Sequence, residues 1–351
     1  MTRALTTVWP EPTLDRLLAD LVPPPRFESA RLSTYIPDDA HPSQAEAKER
    51  IGAFAHSLSA SRGSSGGLLS KLGFGGKKKP QTAHGLYLDG GFGVGKTHLL
   101  TSLFHETQGK GVYGTFVEYT NLVGALGFQK ALDVLSDALV VCIDEFELDD
   151  PGDTLLMTRL IRELSDRGVA IVATSNTLPE ALGEGRFAAQ DFLREIQAMS
   201  ERFDVLRIDG QDYRGRSAVD AIPSLAEQTV RSHAETAGEG ATLDTFEDLL
   251  VHLGKVHPSR YGAMIDGVDS VHLLGVRTME NHNDALRFVV LIDRLYDREI
   301  PILASGADGG EHLPEIYTEK LLTSGYRKKY FRSLSRLASL ARDGEKLVSG
   351  S

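Results

Sequence analysis

The segment Gly85-Leu-Tyr-Leu-Asp-Gly90-Gly-Phe-Gly-Val-Gly95-Lys96-Thr97 decides the fold. From Gly90 to Thr97 it fits the pattern G-x-x-x-x-G-K-[ST], set between an apolar run that suits a strand and a stretch of helical periodicity. Glycines let the backbone curl until several N–H groups point at one anion. The helix that follows presents the positive end of its dipole to that anion. Gly90, Gly91, Phe92, Gly93, Val94, Gly95, Lys96, Thr97 and His98 are therefore the candidate cradle for the phosphates of ATP. Lys96 would reach the β- and γ-phosphates, and the Thr97 hydroxyl would be a ligand for Mg2+.

A phosphate loop alone does not separate kinases, switch GTPases and mechanical ATPases, and the next motif narrows the choice. The apolar run Ala138-Leu-Val-Val-Cys-Ile143 ends in Asp144-Glu145, 48 residues beyond Lys96. Carboxylates at the C-terminal end of a buried parallel strand emerge beside the phosphate loop. Asp144 would hold Mg2+, and Glu145 would polarise the attacking water as general base. Two acids after a strand can also cap a helix or form a solvated turn. A further strand, Gly111–Phe116, fits between the two motifs, so the Asp144 strand need not neighbour the phosphate-loop strand. That arrangement belongs to the additional-strand ATPases, the branch that includes ring-forming motors. The next strand ends Ala173-Thr-Ser-Asn176, where Asn176 could sense the γ-phosphate and the lytic water; Ser-Asn is also a common turn former.

Composition is consistent with a soluble globular chain large enough for two domains. The sequence has 351 residues, 41% hydrophobic and 25% charged. With 38 Lys+Arg against 49 Asp+Glu, the net charge of −11 argues against non-specific coating of nucleic acid. The single cysteine, Cys142, excludes an internal disulfide framework and a multi-cysteine zinc site. The apolar runs are far shorter than the roughly 18 residues of a membrane span, and Met1–Pro10 does not read as a signal peptide. The expectation is a cytoplasmic chain.

The organisation predicted from these patterns is an N-terminal arm (1–30), a P-loop core (31–216) and a smaller C-terminal α/β lid domain (217–351). The arm is Pro-rich with a short helix around Leu14–Leu21, and a second helix spans Ser43–Phe54. Residues 57–80, dominated by Ser, Gly and Lys, read as a flexible insertion. In the core, candidate strands are Gly85–Leu88, Gly111–Phe116, Leu139–Ile143, Val169–Thr174 and Asp204–Ile208. Helices such as Thr97–Phe104 and Thr154–Leu164 alternate with them, which predicts a parallel sheet covered on both faces. Beyond the boundary, Leu243–Leu253 reads as helix, Val271–Leu274 as strand, Asn283–Tyr296 as helix, Ile300–Ala304 as strand and Tyr326–Leu340 as a basic helix.

Several of these motifs together carry a resemblance. Cys142-Ile-Asp-Glu-Phe146 and Arg167-Gly-Val-Ala-Ile-Val-Ala-Thr-Ser-Asn176 resemble the ZapE-type ATPases, bacterial cell-division relatives of a mitochondrial AAA-type ATPase. The likeness extends upstream to Thr34-Tyr-Ile-Pro37 and Pro42-Ser-Gln44. Downstream it includes Asp209-Gly-Gln-Asp-Tyr-Arg214, Asn283-Asp-Ala-Leu-Arg-Phe288, Leu291-Ile-Asp293 and Ser335-Arg-Leu337. It implies an AAA-type P-loop NTPase with a C-terminal lid, ATP hydrolysis with Mg2+, homo-oligomerisation on ATP binding, and a link to the division-ring protein FtsZ. Through the divisome it implies peripheral membrane association. The chain departs from the family pattern at Tyr113–Tyr119 and at Gly183–Phe192, and the 57–80 insertion looks extra.

Ring ATPases bring cations to the γ-phosphate from a neighbour or a lid. Arg186 and Arg202, which follow the sensor strand, are the finger candidates; Arg336, in the Ser-Arg-Leu motif, is the lid-sensor candidate. For each, an exposed arginine in a surface ion pair is the plainer alternative. Tyr35 and Gln44 are candidates to contact adenine, or else part of a loop capping an ordinary helix. Three functions compete in this order: an ATPase that remodels a protein partner, a slow nucleotide-gated adaptor that delivers clients to a protease, and a DNA-associated loader. Lys77–Lys79 and Arg327-Lys-Lys329 keep the last in play.

Overall fold

The computed structural model describes residues 3–11, 13–63, 85–91, 93–146, 151–178, 193–210 and 221–349. The chain divides into two compact units. One comprises residues 14–23 and 27–215, the other 1–13, 24–26 and 216–351.

The larger unit is a five-stranded parallel sheet between helices. Its elements in chain order are α1 (Leu14–Ala19), α2 (Pro42–Gly63), β1 (Gly85–Gly90), α3 (Lys96–Glu106), β2 (Gly111–Thr115), α4 (Phe116–Leu126), α5 (Phe128–Ser136), β3 (Val140–Asp144), α6 (Pro151–Asp166), β4 (Ala170–Ser175), α7 (Leu193–Ser200) and β5 (Phe203–Ile208). The strand order is β2-β3-β4-β1-β5. A strand therefore stands between β1, which leads into the phosphate loop, and β3, which ends in Asp144. The Asp144 strand is thus separated from the phosphate-loop strand, as expected, but the strand between them is β4, while β2 lies at the sheet edge.

Residue type explains which strands are central. Every residue of β3 and β4 is buried, as unbroken apolar runs demand when helices cover both sheet faces. In β5, at an edge, Asp204, Val205 and Arg207 are exposed, and charged side chains there discourage pairing with another chain. Leu21 covers the other edge, its carbonyl accepting from the Tyr113 N–H at 3.0 Å. Side-chain alternation then sorts the core. Leu86, Leu88, Tyr113, Val140, Cys142, Ala170 and Val172 pack with α2 and α3. Tyr87, Val141, Ile143, Ile171 and Ala173 pack with the α4–α7 side. Cys142 is wholly buried, and burial keeps its thiol protonated, a small apolar filler.

The smaller unit is a three-stranded parallel sheet in the order β6 (Ala241–Thr245), β7 (Ser270–Val276), β8 (Ile302–Gly306). Around it lie α8 (Glu227–Thr236), α9 (Phe246–Lys255), α10 (Tyr261–Met264), α11 (His282–Asp297), α12 (Glu319–Leu322) and α13 (Arg327–Ser349). The start of the chain completes it. Leu5 is fully buried in this unit's core, and the Arg3 carbonyl accepts from the Leu243 N–H at 2.9 Å. The N–H groups of Leu5 and Thr6 and the Thr6 hydroxyl all donate to the buried Asp244 carboxylate at 2.8–3.0 Å.

Several boundaries differ from expectation, three of them for evident local reasons. Helix α2 continues through Gly63, so residues 57–63 are helical rather than flexible; Ala, Leu and Ser there propagate a helix already nucleated. The remainder of the 57–80 segment lies outside the described residues. Strand β2 stops at Thr115 because Thr115 and Glu118 form a reciprocal capping box that starts α4 at Phe116. Residues Leu243–Thr245 belong to β6, and Thr245 caps α9 by accepting from the Asp248 N–H.

Candidate nucleotide site

The phosphate loop leaves the C-terminal end of β1, and two of its glycines are required by geometry. Gly95 sits at φ +84°, and a Cβ there would lie 2.5 Å from the Tyr35 ring. Gly90 approaches the Ile208 carbonyl so closely that a Cβ would lie 2.4 Å from its oxygen. The Lys96 ammonium donates to the carbonyls of Gly90 and Gly91, at 2.8 and 2.6 Å, and to Asn176 Oδ1 at 2.9 Å. Lys96 and Asn176, 80 residues apart in sequence, thus meet at one point.

Asp144 is the centre of the polar network beside the loop. It is 6% exposed, yet every donor it needs is at hand. Its Oδ1 accepts from the Thr97 hydroxyl at 3.3 Å, from the Glu145 N–H at 3.1 Å and from the Thr174 hydroxyl. Its Oδ2 accepts from the Tyr113 hydroxyl at 2.7 Å. Glu145 follows in a left-handed conformation, φ +52°, which costs a non-glycine residue on the order of 1–2 kcal/mol and is sustained only by surrounding contacts. Its N–H is held by Thr174 Oγ1 at 3.1 Å. Phe146 then buries itself against Tyr87 and Phe116, its N–H donating to the Thr174 carbonyl at 2.7 Å, so the chain turns sharply with Glu145 at the bend.

The oxygen donors fit a hard divalent cation. Mg2+ keeps several waters and takes only one or two protein oxygens beside its phosphate ligands, and Thr97 with Asp144 supplies that number. Among the described residues no group of three or more His, Cys, Asp or Glu is arranged to hold a metal.

A family model of AFG1-like ATPases matches residues 21–236 and 220–346. The chain belongs to the AFG1-like ATPase family. As an AFG1-like ATPase it is an enzyme that binds and hydrolyses ATP. It is similar to the cell division protein ZapE of Escherichia coli (strain K12), with 27% identity over 321 residues, 78% of this chain and 83% of that one. The lactation elevated protein 1 homolog B of Danio rerio is 27% identical over 161 residues, 39% of this chain and 32% of that protein. Among solved structures, the replication initiator DnaA bound to AMPPCP and single-stranded DNA aligns with 92% of this chain and 95% of its own, at 9% identity and a TM-score of 0.39.

The remaining candidates of this AFG1-like ATPase fall in different places. Phe92 and Arg186 lie outside the described residues. The Tyr35 hydroxyl donates to the Val94 carbonyl at 2.9 Å. Gln44 donates to the Asp209 carbonyl at 2.9 Å and accepts from the Asp38 N–H at 2.9 Å. Both are buried, fastening residues 35–44 to the phosphate loop and the end of β5. His98 turns from the loop to meet the Thr34 hydroxyl and the Arg31 carbonyl, at 3.1 and 3.0 Å.

Arg202 precedes β5 and pairs with Asp166 at 2.9 Å. Its carbonyl accepts from the Gly85 N–H, which places it at the start of β1, the sheet edge opposite the phosphate loop. Arg336 belongs to the C-terminal unit, where it and Arg332 pair with the buried carboxylate of Asp293; its guanidinium also lies 5.1 Å over the Tyr296 ring. Sequence reasoning missed Tyr113 and Thr174 as partners of Asp144. Alternation along each strand puts both on the face that packs α3, but their meeting with Asp144 depends on the register between strands.

Proposed function

We propose that this chain is a Mg2+-dependent ATP hydrolase that couples turnover to the remodelling of a protein partner. The observation that supports this reading most directly is the convergence of Lys96, Thr97, Asp144 and Asn176 at the C-terminal sheet edge, with Glu145 on the bend beside them. Loop N–H groups and Lys96 would bind the β- and γ-phosphates, and Asn176 would orient the γ-phosphate. Glu145 would take the proton of the water that attacks the γ-phosphorus. Thr97 and Asp144 would hold Mg2+, whose charge offsets that developing on the bridging oxygen.

The ZapE-type resemblance supports FtsZ polymers as the partner, in the cytoplasm and with membrane association only through the divisome. Arg202 is separated from its own phosphate loop by the length of β5, roughly 20 Å at about 3.3 Å per residue. As a finger it would act on the γ-phosphate of a second copy, the role that a homo-oligomer formed on ATP would give it. Net charge −11 favours a protein client over DNA.

Phosphate release by wild type and Glu145→Gln, with and without FtsZ polymers, tests both halves. Glu145→Gln should retain ATP and lose on the order of 10²–10⁴ in turnover. Equal rates would remove Glu145 as the base. Turnover indifferent to FtsZ would favour the slow adaptor, and a salt-sensitive DNA affinity would favour the loader.

A further inference from the structure

Strands β2, β3 and β4 lie side by side and run parallel, so alternate residues of all three project to one face. Tyr113 is level with Cys142, and Ala173 is level with Ile143. One step further along, Thr174 is level with Asp144, and Tyr113 reaches it diagonally from the other side. All three side chains project on the face that packs α3, the helix that carries Thr97. The Tyr113 ring is 2% exposed and packs edge-on to Phe104, so its hydroxyl has one fixed direction, which ends on Asp144 Oδ2 at 2.7 Å. The Thr174 hydroxyl closes on Oδ1 from β4.

We infer that Tyr113 and Thr174 are positioning residues that hold the Asp144 carboxylate for Mg2+. The inference rests on the nucleotide reading above. A free carboxylate pivots about its Cβ–Cγ bond. Here a donor from each flanking strand grips a different oxygen and fixes the plane in which Oδ1 meets the Thr97 hydroxyl. Partners that orient a metal ligand in this way are typically worth 10–100-fold in metal affinity.

The test is a titration of Mn2+, read by electron paramagnetic resonance, into wild type, Tyr113→Phe, Thr174→Val and Thr174→Ser, each with a non-hydrolysable ATP analogue. Affinity for a fluorescent ATP analogue in EDTA serves as the metal-free control. Tyr113→Phe and Thr174→Val should each weaken Mn2+ about 10-fold or more and leave the EDTA affinity unchanged. Thr174→Ser, which restores the hydroxyl, should return Mn2+ affinity towards wild type. A purely structural role would lower the unfolding temperature and leave Mn2+ affinity unmoved. That result in both hydroxyl-deleted variants would overturn the inference, and if one variant fails to fold the other carries the test. Wild type that binds the analogue equally with and without metal would instead overturn the Mg2+ reading of the site.

Discussion

Replacing Gly95 by alanine should cost the P-loop unit about 2–4 kcal/mol, a sum worked from two separate causes. The first is conformational: at φ +84° and ψ 21° the residue is left-handed, and alanine there costs on the order of 1 kcal/mol. The second is steric. The new Cβ would lie 2.5 Å from Tyr35 Cε2, so the ring would have to retreat by about 1 Å to restore ordinary contact. Tyr35 cannot retreat freely, because its hydroxyl is tied to the Val94 carbonyl at 2.9 Å and the ring is buried. Overpacking of this kind costs about 1–3 kcal/mol. Removing the ring should leave only the conformational part, so the Gly95→Ala and Tyr35→Ala cycle should show a coupling of about 1–3 kcal/mol. The assay is thermal unfolding followed by far-ultraviolet circular dichroism and by tryptophan fluorescence. Trp9 is the chain's one tryptophan and belongs to the other unit, so the two signals separate the units. At about 2–4 °C per kcal/mol the dichroism transition should fall by roughly 5–15 °C. Wild-type melting in Gly95→Ala, or the same cost with Tyr35 already removed, would refute the argument.

Two further outcomes concern the C-terminal unit. Burial opposes ionisation of Asp293, but the flanking Arg332 and Arg336 guanidiniums outweigh it and hold the carboxyl below its ordinary range. Asp293→Asn strands two arginines and should cost about 3–5 kcal/mol in denaturant unfolding, whereas Arg336→Met, which leaves the Asp293–Arg332 pair, should cost distinctly less. His272 is fully buried, with one ring nitrogen at the Thr242 carbonyl (2.8 Å) and the other at His233 Nδ1 (2.9 Å). Burial lowers its pKa to about 4. The unfolded chain takes up that proton near pH 6.5, so stability should fall as pH drops from about 6.5 towards 4, by on the order of 1–2 kcal/mol after solvent screening. Trp9 fluorescence against pH should show the decline in wild type and a flatter profile in His272→Asn.

The phosphate loop was legible because its chemistry forbids most alternatives: backbone N–H groups must converge, so glycine and a following lysine are required at fixed offsets. The buried strands were legible for a related reason, since Val140–Ile143 and Ala170–Ala173 are apolar without interruption. Strand β6 was not, because Leu243–Thr245 runs straight into α9 and its apolar residues extend the helical pattern of that element. The start of α4 was available in Thr115-Phe-Val-Glu118, a capping box that the strand reading of Gly111–Phe116 obscured. The hold of Tyr113 and Thr174 on Asp144 depended on the register of three strands, and no local pattern encodes register between residues that pair 29 or 30 positions apart. Nor does anything in the first residues announce that Leu5 will be buried beside residues more than 200 positions away.

That last arrangement sets an order of events at the ribosome. Leu5 and Thr6 leave the exit tunnel long before Asp244, the group their N–H groups require, which is made 238 or more residues later. At about 5–20 residues per second the start of the chain waits on the order of 10–50 s with an apolar side chain uncovered. Until then the N–H groups of Leu5 and Thr6 must rely on water for their hydrogen bonds. Nascent chains should therefore be most dependent on chaperones late in synthesis. A bulky fusion at the amino terminus would act on the unit translated last, far along the sequence from the point of attachment.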